Sequence, residues 1–410
     1  MTVYWVDPLD GDSANSGTTY TDAFGSFLDI FDGSLVGGLT RGDLVNLIAS
    51  TADNVDTSIS VSGNRDDGNY MASLGRDGTT SSWKIFHAVN PTTLQEDGTK
   101  YILGARNDQY QTMMGGAGWE YYIWNNIEFV GFMHSYTSGA YGMIFNNCIF
   151  SDGHPSIQNY TGPIQSMYVG NQNHSFTDCL FINRGYNSNH DVGVRFGGGL
   201  YSGPNQVFSN CEFRNFSEAA CMDYNSQEFY NCRFINNGYA LKPGTSRTRN
   251  SYNKIINCIF EGNDVDYQWP VYYGGIEANF WMKNIHINCG GYNIEFNNSG
   301  TMSLINERRL SRSVFRSNIY KNVYQNSTSG FNDVPMGSTL TYIGWYKEDG
   351  GWTSGSFGLT FDPGTSGPSR MMVATGDAML FRVQDIGTFL ESFTEAVVQG
   401  SPPPEFGDMF

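Results

Sequence analysis

One six-residue pattern recurs along this chain and constrains its fold more than any other feature. The pattern reads apolar residue, any residue, Asn or Asp, Cys, any residue, Phe, and its five copies begin at Phe145, Phe176, Phe208, Phe229 and Ile255. Two weaker copies place Ile127 and Ile285 in the Cys position. Across the seven copies, the position that is Cys in five of them and Ile in two falls at residues 127, 148, 179, 211, 232, 258 and 285. The separations are 21, 31, 32, 21, 26 and 27 residues. A period that stretches around a constant motif indicates fixed strands joined by variable loops.

Alternation within each copy indicates which side chains face the interior. The Cys and Phe positions lie two residues apart and project to the same side of a strand, whereas the residue between them varies and can be charged. One coil of about 21 residues cannot bury such an inner face alone, but coils stacked at about 4.8 Å per strand can. The repeat therefore predicts an all-β chain, a single-stranded right-handed parallel β-helix with inward ladders of Cys and Phe.

The Cys and Asn/Asp positions favour structural roles. Seven Cys is an odd number and no Cys-x-x-Cys pair occurs, so the sequence predicts neither a disulfide framework nor a metal site. The thiols are interpreted as small apolar core residues. Asn and Asp tolerate unusual backbone dihedral angles, which predicts a bend before each strand. These bends are expected at positions 126, 147, 178, 210, 231, 257 and 284.

The first 50 residues differ from the repeat. A loop rich in Gly, Asp and Ser follows the apolar start of the chain, and Arg41-Gly42-Asp43 is interpreted as a turn before the strand Leu44 to Ile48. Between them, five apolar residues have the spacing of an amphipathic capping helix: Phe24, Phe27, Leu28, Phe31 and Leu35. This order resembles the opening of the pectate-lyase-like β-helix superfamily, and the resemblance covers residues 1 to 325.

The resemblance implies a fold more than a function. Such openings occur in extracellular polysaccharide lyases and, without a signal peptide, in bacteriophage tail and virion proteins. The N-terminus lacks the basic and apolar regions of a signal peptide, so the sequence predicts a virion protein made in the host cytoplasm. Asp7, Asp10 and Asp12 could hold calcium, but the distal Glu of a calcium loop is missing, and no cofactor is predicted.

The end of the repeat divides the chain into three predicted parts. These are a cap over residues 1–50, the β-helix over 51–329 and a small C-terminal β/α appendage over 330–410. The helix of the appendage is predicted from Ile386, Phe389, Leu390, Phe393 and Val397. An apolar tail follows, which either docks on a partner or folds back over the last coil: Phe406, Met409 and Phe410.

Charge and hydropathy exclude two classes of partner. The chain has 23 Lys and Arg against 40 Asp and Glu, a formal charge of −17, whereas nucleic-acid binding requires a basic surface. No run of 18 apolar residues occurs, so no membrane span is predicted. One basic cluster contrasts with this background and is either a subunit interface or a solvated edge: Arg308, Arg309, Arg312, Arg316 and Lys321.

The longest coils are the predicted binding surface, because insertions on a rigid solenoid collect on one face. They cover residues 151–175 and 184–206, and a third insertion, 264–273, combines carboxylates with aromatic rings. Aromatic faces stack on sugars and carboxylates accept hydroxyl groups, which predicts a glycan ligand; alternatively, the rings only cover the solenoid wall. The predicted glycan-binding residues are Tyr186, Tyr201, Asp264, Asp266, Trp269, Tyr272 and Tyr273.

Catalysis is the alternative to binding at these coils. His190, Asp191 and Arg195 could act as acid and base, although a surface loop also explains them. The arginine or lysine base with clustered carboxylates that the related lyases use has no counterpart in this sequence. The sequence therefore predicts a bacteriophage structural protein, a fibre, spike or decoration protein, that contacts host-surface glycan or other virion proteins and could form a homotrimer. The alternative is a polysaccharide lyase or glycoside hydrolase of the same fold.

Overall fold

The computed structural model describes the repeat region and parts of both ends. The described residues are 2–30, 39, 42–49, 56, 83–104, 122–130, 142–152, 165–169, 174–186, 191–196, 206–222, 227–242, 253–269, 280–282, 284–287, 292–296, 314–316, 319–321, 342–344 and 372–374. The chain divides into two compact units, Met1–Lys242 and Pro243–Phe410. The boundaries predicted at residues 50 and 329 stay predictions.

The described regular structure of the first unit is almost entirely β-strand, apart from two short 3₁₀ helices, Tyr20–Asp22 and Phe27–Ile30. Its strands are β1 (Val3–Val6), β2 (Leu44–Ile48), β3 (Lys84–Val89), β4 (Tyr101–Gly104), β5 (Tyr122–Asn125), β6 (Ile127–Val130), β7 (Ile144–Asn146), β8 (Ile149–Ser151), β9 (Gln165–Val169), β10 (Ser175–Thr177), β11 (Leu180–Ile182), β12 (Val192–Phe196), β13 (Val207–Ser209), β14 (Glu212–Arg214), β15 (Ala219–Met222), β16 (Glu228–Tyr230), β17 (Arg233–Ile235) and β18 (Tyr239–Lys242).

These strands form three parallel sheets. The first sheet has the order β1-β2-β3-β5-β7-β10-β13-β16, the second β4-β6-β8-β11-β14-β17 and the third β9-β12-β15-β18. Each coil contributes one strand to each sheet in turn, as β10, β11 and β12 do. In the first sheet, residues 123, 144, 175, 207 and 228 lie in register, so the steps are 21, 31, 32 and 21 residues, as the repeat predicts. The predicted fold class, a right-handed parallel β-helix, is confirmed.

The interior of the first unit contains two parallel stacks of phenylalanine rings. The stack on the second sheet has neighbouring ring centroids 4.7 to 4.9 Å apart, and the stack on the first sheet has them 4.6 to 5.0 Å apart. All of these rings are at most 1% exposed. The predicted inward Phe ladder is confirmed, and its members are Phe150, Phe181, Phe213 and Phe234 on the second sheet, beside Phe145, Phe176, Phe208 and Phe229 on the first.

The Cys ladder runs along the same interior. The six described cysteines are buried and none forms a disulfide. The thiol of Cys148 donates to the carbonyl oxygen of Trp124 at 3.4 Å, and Cys179 repeats this bond to Phe145 one coil later, also at 3.4 Å. Burial raises the pKa of both thiols well above the ordinary value for cysteine. Neutral, buried thiols fit the predicted role as core residues.

The Asn and Asp positions form the predicted bends. Asn126, Asn147, Asp178, Asn210, Asn231 and Asn257 all have φ between 50° and 61°. This left-handed conformation turns the chain from the first sheet into the second, and Asn and Asp adopt it at less cost than most residues. Their backbone N–H groups also join the coils, since that of Asn147 donates to the carbonyl of Thr177 at 2.8 Å.

The predicted N-terminal capping helix is not shown: the described residues include Phe24, Phe27 and Leu28 of the predicted segment but not Phe31 or Leu35. Phe24 and Phe27 are fully buried, as expected, but the chain around them forms the two 3₁₀ helices and extended loops. The loop pairs with the outer edge of β1: the N–H of Trp5 donates to Gly17 at 2.8 Å, and the N–H of Phe24 donates to Trp5 at 2.9 Å. An α-helix uses its backbone groups internally and could not satisfy this strand edge. Residues 31–38 lie outside the described residues.

The second unit repeats the parallel arrangement on a smaller scale. Parallel ladders join β19, β22 and β25, then β20, β23 and β26, and β21 with β24, while β27 and β28 are antiparallel. The predicted helix at 386–397 lies outside the described residues, among which no helix is long and apolar enough to cross a membrane. The strands are β19 (Lys254–Ile256), β20 (Ile259–Glu261), β21 (Val265–Trp269), β22 (Phe280–Met282), β23 (Ile285–Ile287), β24 (Tyr292–Phe296), β25 (Val314–Arg316), β26 (Ile319–Lys321), β27 (Tyr342–Gly344) and β28 (Met372–Ala374).

The predicted register of the last repeat copy is wrong by one residue. Ile285 pairs with Ile259, so Asn284, not Ile285, lies opposite Cys258. Asn284 is fully buried; its Oδ1 accepts the N–H of Cys258 at 2.8 Å and its Nδ2 donates to the carbonyl of Ile255 at 2.9 Å. These bonds satisfy the amide within the core, which is why a polar residue can replace Cys here.

Candidate functional site

The residues that precede the third-sheet strands stack on one another. Val192, Ala219 and Tyr239 lie in register on β12, β15 and β18. The N–H of Glu218 donates to the carbonyl of Asp191 at 2.9 Å, and the N–H of Tyr239 donates to that of Glu218 at 3.0 Å. Asp191 and Glu218 therefore occupy equivalent places on consecutive coils.

Polar side chains of these coils contact one another at the surface. Ser217 Oγ donates to a carboxylate oxygen of Asp191. Lys242 Nζ lies 2.9 Å from Glu218 Oε1 and 4.9 Å from the centroid of the Tyr239 ring. Ser217 and Glu218 are exposed, and the other three residues are half-buried. We call these five residues the third-sheet edge: it combines two carboxylates, a hydroxyl, an ammonium group and an aromatic ring.

The structure describes two of the three predicted catalytic residues, and their role in catalysis stays a prediction. Asp191 precedes β12, and Arg195 lies four residues later on the same strand, which separates their Cα atoms by about 13 Å. Arg195 is half-buried and in register with Met222, which is in register with Lys242. The two cations are thus two strands apart, or about 10 Å along the stack. His190 lies outside the described residues.

Tyr186, a predicted glycan contact, is 42% exposed on the loop after β11. Arg184 anchors this loop, because its guanidinium lies 2.6 Å from Glu128 Oε1 and its backbone N–H donates to Asp152 Oδ1 at 2.6 Å. Gly185 then adopts a φ of +81°, a left-handed conformation that glycine adopts without strain. The exposed ring therefore stands on a fixed loop.

The second unit holds other predicted glycan residues. Asp264 is exposed, but Asp266 is fully buried and accepts a hydrogen bond from Asn263 Nδ2 at 2.9 Å, so its carboxylate belongs to the turn before β21. The backbone of Trp269 ends β21. Tyr201, Tyr272 and Tyr273 lie outside the described residues.

The predicted interface residues fall mostly outside the described part of the chain. Arg316 is the last residue of β25, and Lys321 is the last residue of β26. The remaining ones lie outside the described residues: Arg308, Arg309, Arg312, Phe406, Met409 and Phe410.

The acidic residues of the N-terminal loop bond to its backbone. Asp7 is buried, and its Oδ1 accepts the N–H groups of Leu9 and Asp10 at 3.0 and 3.2 Å. Asp12 Oδ1 accepts the N–H of Ala14 at 2.9 Å. Within the described ranges, no three His, Cys, Asp or Glu side chains are grouped in a way that could hold a metal ion. The expectation that this loop holds no cofactor stays a prediction.

Sequence reasoning missed Ser217, Glu218, Tyr239 and the position of Lys242 at this edge. The third-sheet strands share no motif, so the coils could not be aligned there from the repeat alone. One signal was present: Asp191 and Glu218 each come directly before a short apolar run.

The comparisons with known proteins concern the fold. No protein-family model matches the chain, and no curated protein does. Among solved structures, a rhamnogalacturonan lyase is similar at 14% identity and a TM-score of 0.42, over 72% of this chain and 75% of that protein. Pectate lyase Pel9A is similar at 11% identity and a TM-score of 0.43, over 87% of this chain and 95% of that protein. The pectin methylesterase from Aspergillus niger is similar at 10% identity and a TM-score of 0.38, over 85% of this chain and 92% of that protein.

TM-scores this low support no argument about superfamily or function. The strand register described above shows the right-handed parallel β-helix fold. The three named proteins are enzymes, so they do not bear on the predicted phage setting.

Proposed function

We propose that the protein binds carbohydrate at the third-sheet edge. The observation that carries this proposal is the grouping of Asp191, Ser217, Glu218, Tyr239 and Lys242 on three consecutive coils. Paired carboxylate and ammonium groups hydrogen-bond sugar hydroxyls as acceptor and donor. An aromatic ring supplies apolar area for the C–H face of a sugar.

The charges at this edge contribute little to folding, which favours a role in binding. Glu218 is 45% exposed and Lys242 is 21% exposed at the side chain, so water screens their attraction. Exposed ion pairs of this kind stabilise a protein by about 0 to 1 kcal/mol. Either charge can therefore be removed without unfolding the coil, and a change in binding can be read directly.

The test is a glycan array of bacterial surface polysaccharides probed with the full chain. Glu218→Gln keeps the shape of the side chain but removes the charge, and we expect it to weaken binding by about tenfold, the loss of one charge-assisted contact. The matched control is Glu212→Gln on the second sheet of the same coil, where Glu212 pairs with Arg233 at 3.1 Å. Equal binding by both variants, or no binding by the unaltered chain, would refute the site.

We propose further that this binding serves a bacteriophage particle in which the chain is a fibre, spike or decoration protein. Chain openings of the pectate-lyase-like kind occur in phage virion proteins as well as in polysaccharide lyases, and this setting is proposed from the sequence alone. Antibody labelling of purified particles by electron microscopy tests it, and light scattering tests the homotrimer. New reducing or unsaturated ends after incubation with a bound glycan would instead show a lyase or hydrolase.

A further inference from the structure

The outer face of the first sheet carries two rows of side chains that differ in chemistry. Side chains alternate along a strand, so the neighbours of the inward Phe residues point outward. One row is mostly aliphatic and the other consists of amides, hydroxyls and one imidazole, and nearly all are half-buried. We call these twelve residues the neutral face: Leu44, Ile85, Ile123, Ile144, Ser175 and Val207 in one row, and Asn46, His87, Asn125, Asn146, Thr177 and Ser209 in the other.

The twelve side chains of the neutral face carry no formal charge, although the chain has a net charge of −17 and carboxylates border the face: Glu96 Oε2 lies 3.6 Å from His87 Nδ1, and Glu228 is in register with Val207 on β16. Burial lowers the pKa of His87 below its usual 6.5, against an opposing effect of Glu96, so the imidazole is neutral at pH 7. The outer face of the second sheet differs, since Glu212 there forms ion pairs with Arg214 and Arg233. Uncharged side chains on an otherwise acidic protein favour an uncharged ligand.

Four of the six side chains in the polar row are hydrogen-bonded to one another in pairs. Asn146 Nδ2 donates to Asn125 Oδ1 at 2.9 Å, and His87 Nε2 bonds to Asn46 Oδ1. A primary amide has two N–H groups and two acceptor lone pairs, and a bond between neighbouring strands uses one of them. Side chains that are already ordered lose less entropy on binding.

The dimensions of the neutral face favour a narrow ligand. Its six strands give five intervals of about 4.8 Å, or about 24 Å, and three residues per strand give a width of about 10 Å. The resulting area, about 240 Å², is far below the roughly 800 Å² per partner of a stable protein interface. A second copy of this chain is therefore a poor fit.

A linear sugar chain fits this shape and chemistry. Its rings offer C–H faces for the aliphatic row and hydroxyl groups for the amide row, and an extended chain advances about one ring for each strand. We propose that the neutral face binds a linear, uncharged polysaccharide lying along the direction in which the coils stack. This surface is separate from the third-sheet edge and its charged groups.

The test compares two lysine substitutions on one coil. Thr177 lies on β10 in the polar row, and Leu180 is the matched outward, half-buried position on β11 of the second sheet. Thr177→Lys, Leu180→Lys and the unaltered full chain are run by affinity electrophoresis in gels containing hydroxyethyl cellulose, glucomannan or dextran. A gel with anionic polygalacturonate is the charge control.

We expect at least one neutral polymer, and not polygalacturonate, to retard the unaltered chain. Thr177→Lys should weaken that retardation by about tenfold or more, whereas Leu180→Lys, with the same charge change, should leave it unaltered. Ser209→Lys, one strand further along, should repeat the loss if Thr177→Lys fails to fold by thermal melting.

Three results would overturn the proposal: no retardation in any neutral polymer, equal loss in the Thr177 and Leu180 variants, or self-association that Thr177→Lys abolishes.

Discussion

Phe213 lies at the centre of the inner ring stack, and its removal tests the whole account of the core. The side chain is fully buried on β14. Its ring centroid lies 4.7 Å from Phe181 below and 4.9 Å from Phe234 above, both nearly parallel, and 5.7 Å from Phe208 across the interior. Phe213→Ala would leave a cavity lined by aromatic rings on three sides.

Two terms set the expected magnitude. Truncating a buried phenylalanine costs about 3 to 5 kcal/mol in transfer free energy and cavity formation. Each aromatic pair contributes about 0.5 to 1.5 kcal/mol beyond buried area. Because two stacked contacts are lost, we expect the upper part of the range, about 4 to 5 kcal/mol. Phe213→Leu keeps most of the buried volume and should cost only about 1 to 2 kcal/mol.

Urea unfolding followed by tryptophan fluorescence, at constant pH and protein concentration, measures both variants. Leu180→Ala, at a half-buried outward position on the neighbouring coil, is the control and should cost much less. A Phe213→Ala effect below about 1 kcal/mol would place the ring in solvent and refute the strand register, because a one-residue slip exchanges the two faces.

Three further predictions follow from the turns, the thiols and the ion pair between Arg184 and Glu128. Asn210→Ala should lower the melting temperature more than Asn210→Gly, because a φ of 56° costs a non-glycine residue about 1 to 2 kcal/mol; the reverse order would contradict the assigned bend. Burial raises the pKa of Cys179, so the contribution of this thiol to stability is complete below about pH 8.5 and is lost as the pH rises further. Urea titrations from pH 7 to 10 should show a fall in the free energy of unfolding, and Cys179→Ala should make that fall less steep. Arg184→Ala should cost about 1 to 2 kcal/mol, because it removes the ionic partner of Glu128, whose side chain is 8% exposed and keeps the hydrogen bond from Ser151 Oγ at 3.3 Å. Adding Glu128→Gln should recover part of that loss; no recovery would show that the pair does not act as a unit.

The sequence alone determined the repeated half of each coil. The alternation around Cys148 or Cys179 specifies which side chains are buried, and the Asn before each Cys specifies the bend, because both signals are local and recur in every copy. The thiols could likewise be assigned to the core from their spacing. These features can be predicted from one coil alone, without its contacts to the coils above and below.

Only the tertiary structure decided how the less regular segments meet. Glu218 and Lys242 become partners because two coils of different length stack in register, and no motif marks their strands. The N-terminal loop pairs with the free edge of β1 through the carbonyl of Gly17 and the N–H of Phe24. Asn284 enters the core because its amide finds backbone partners on the preceding coil. Each outcome depends on contacts between distant residues, and hydrophobic periodicity within a segment carries no information about them.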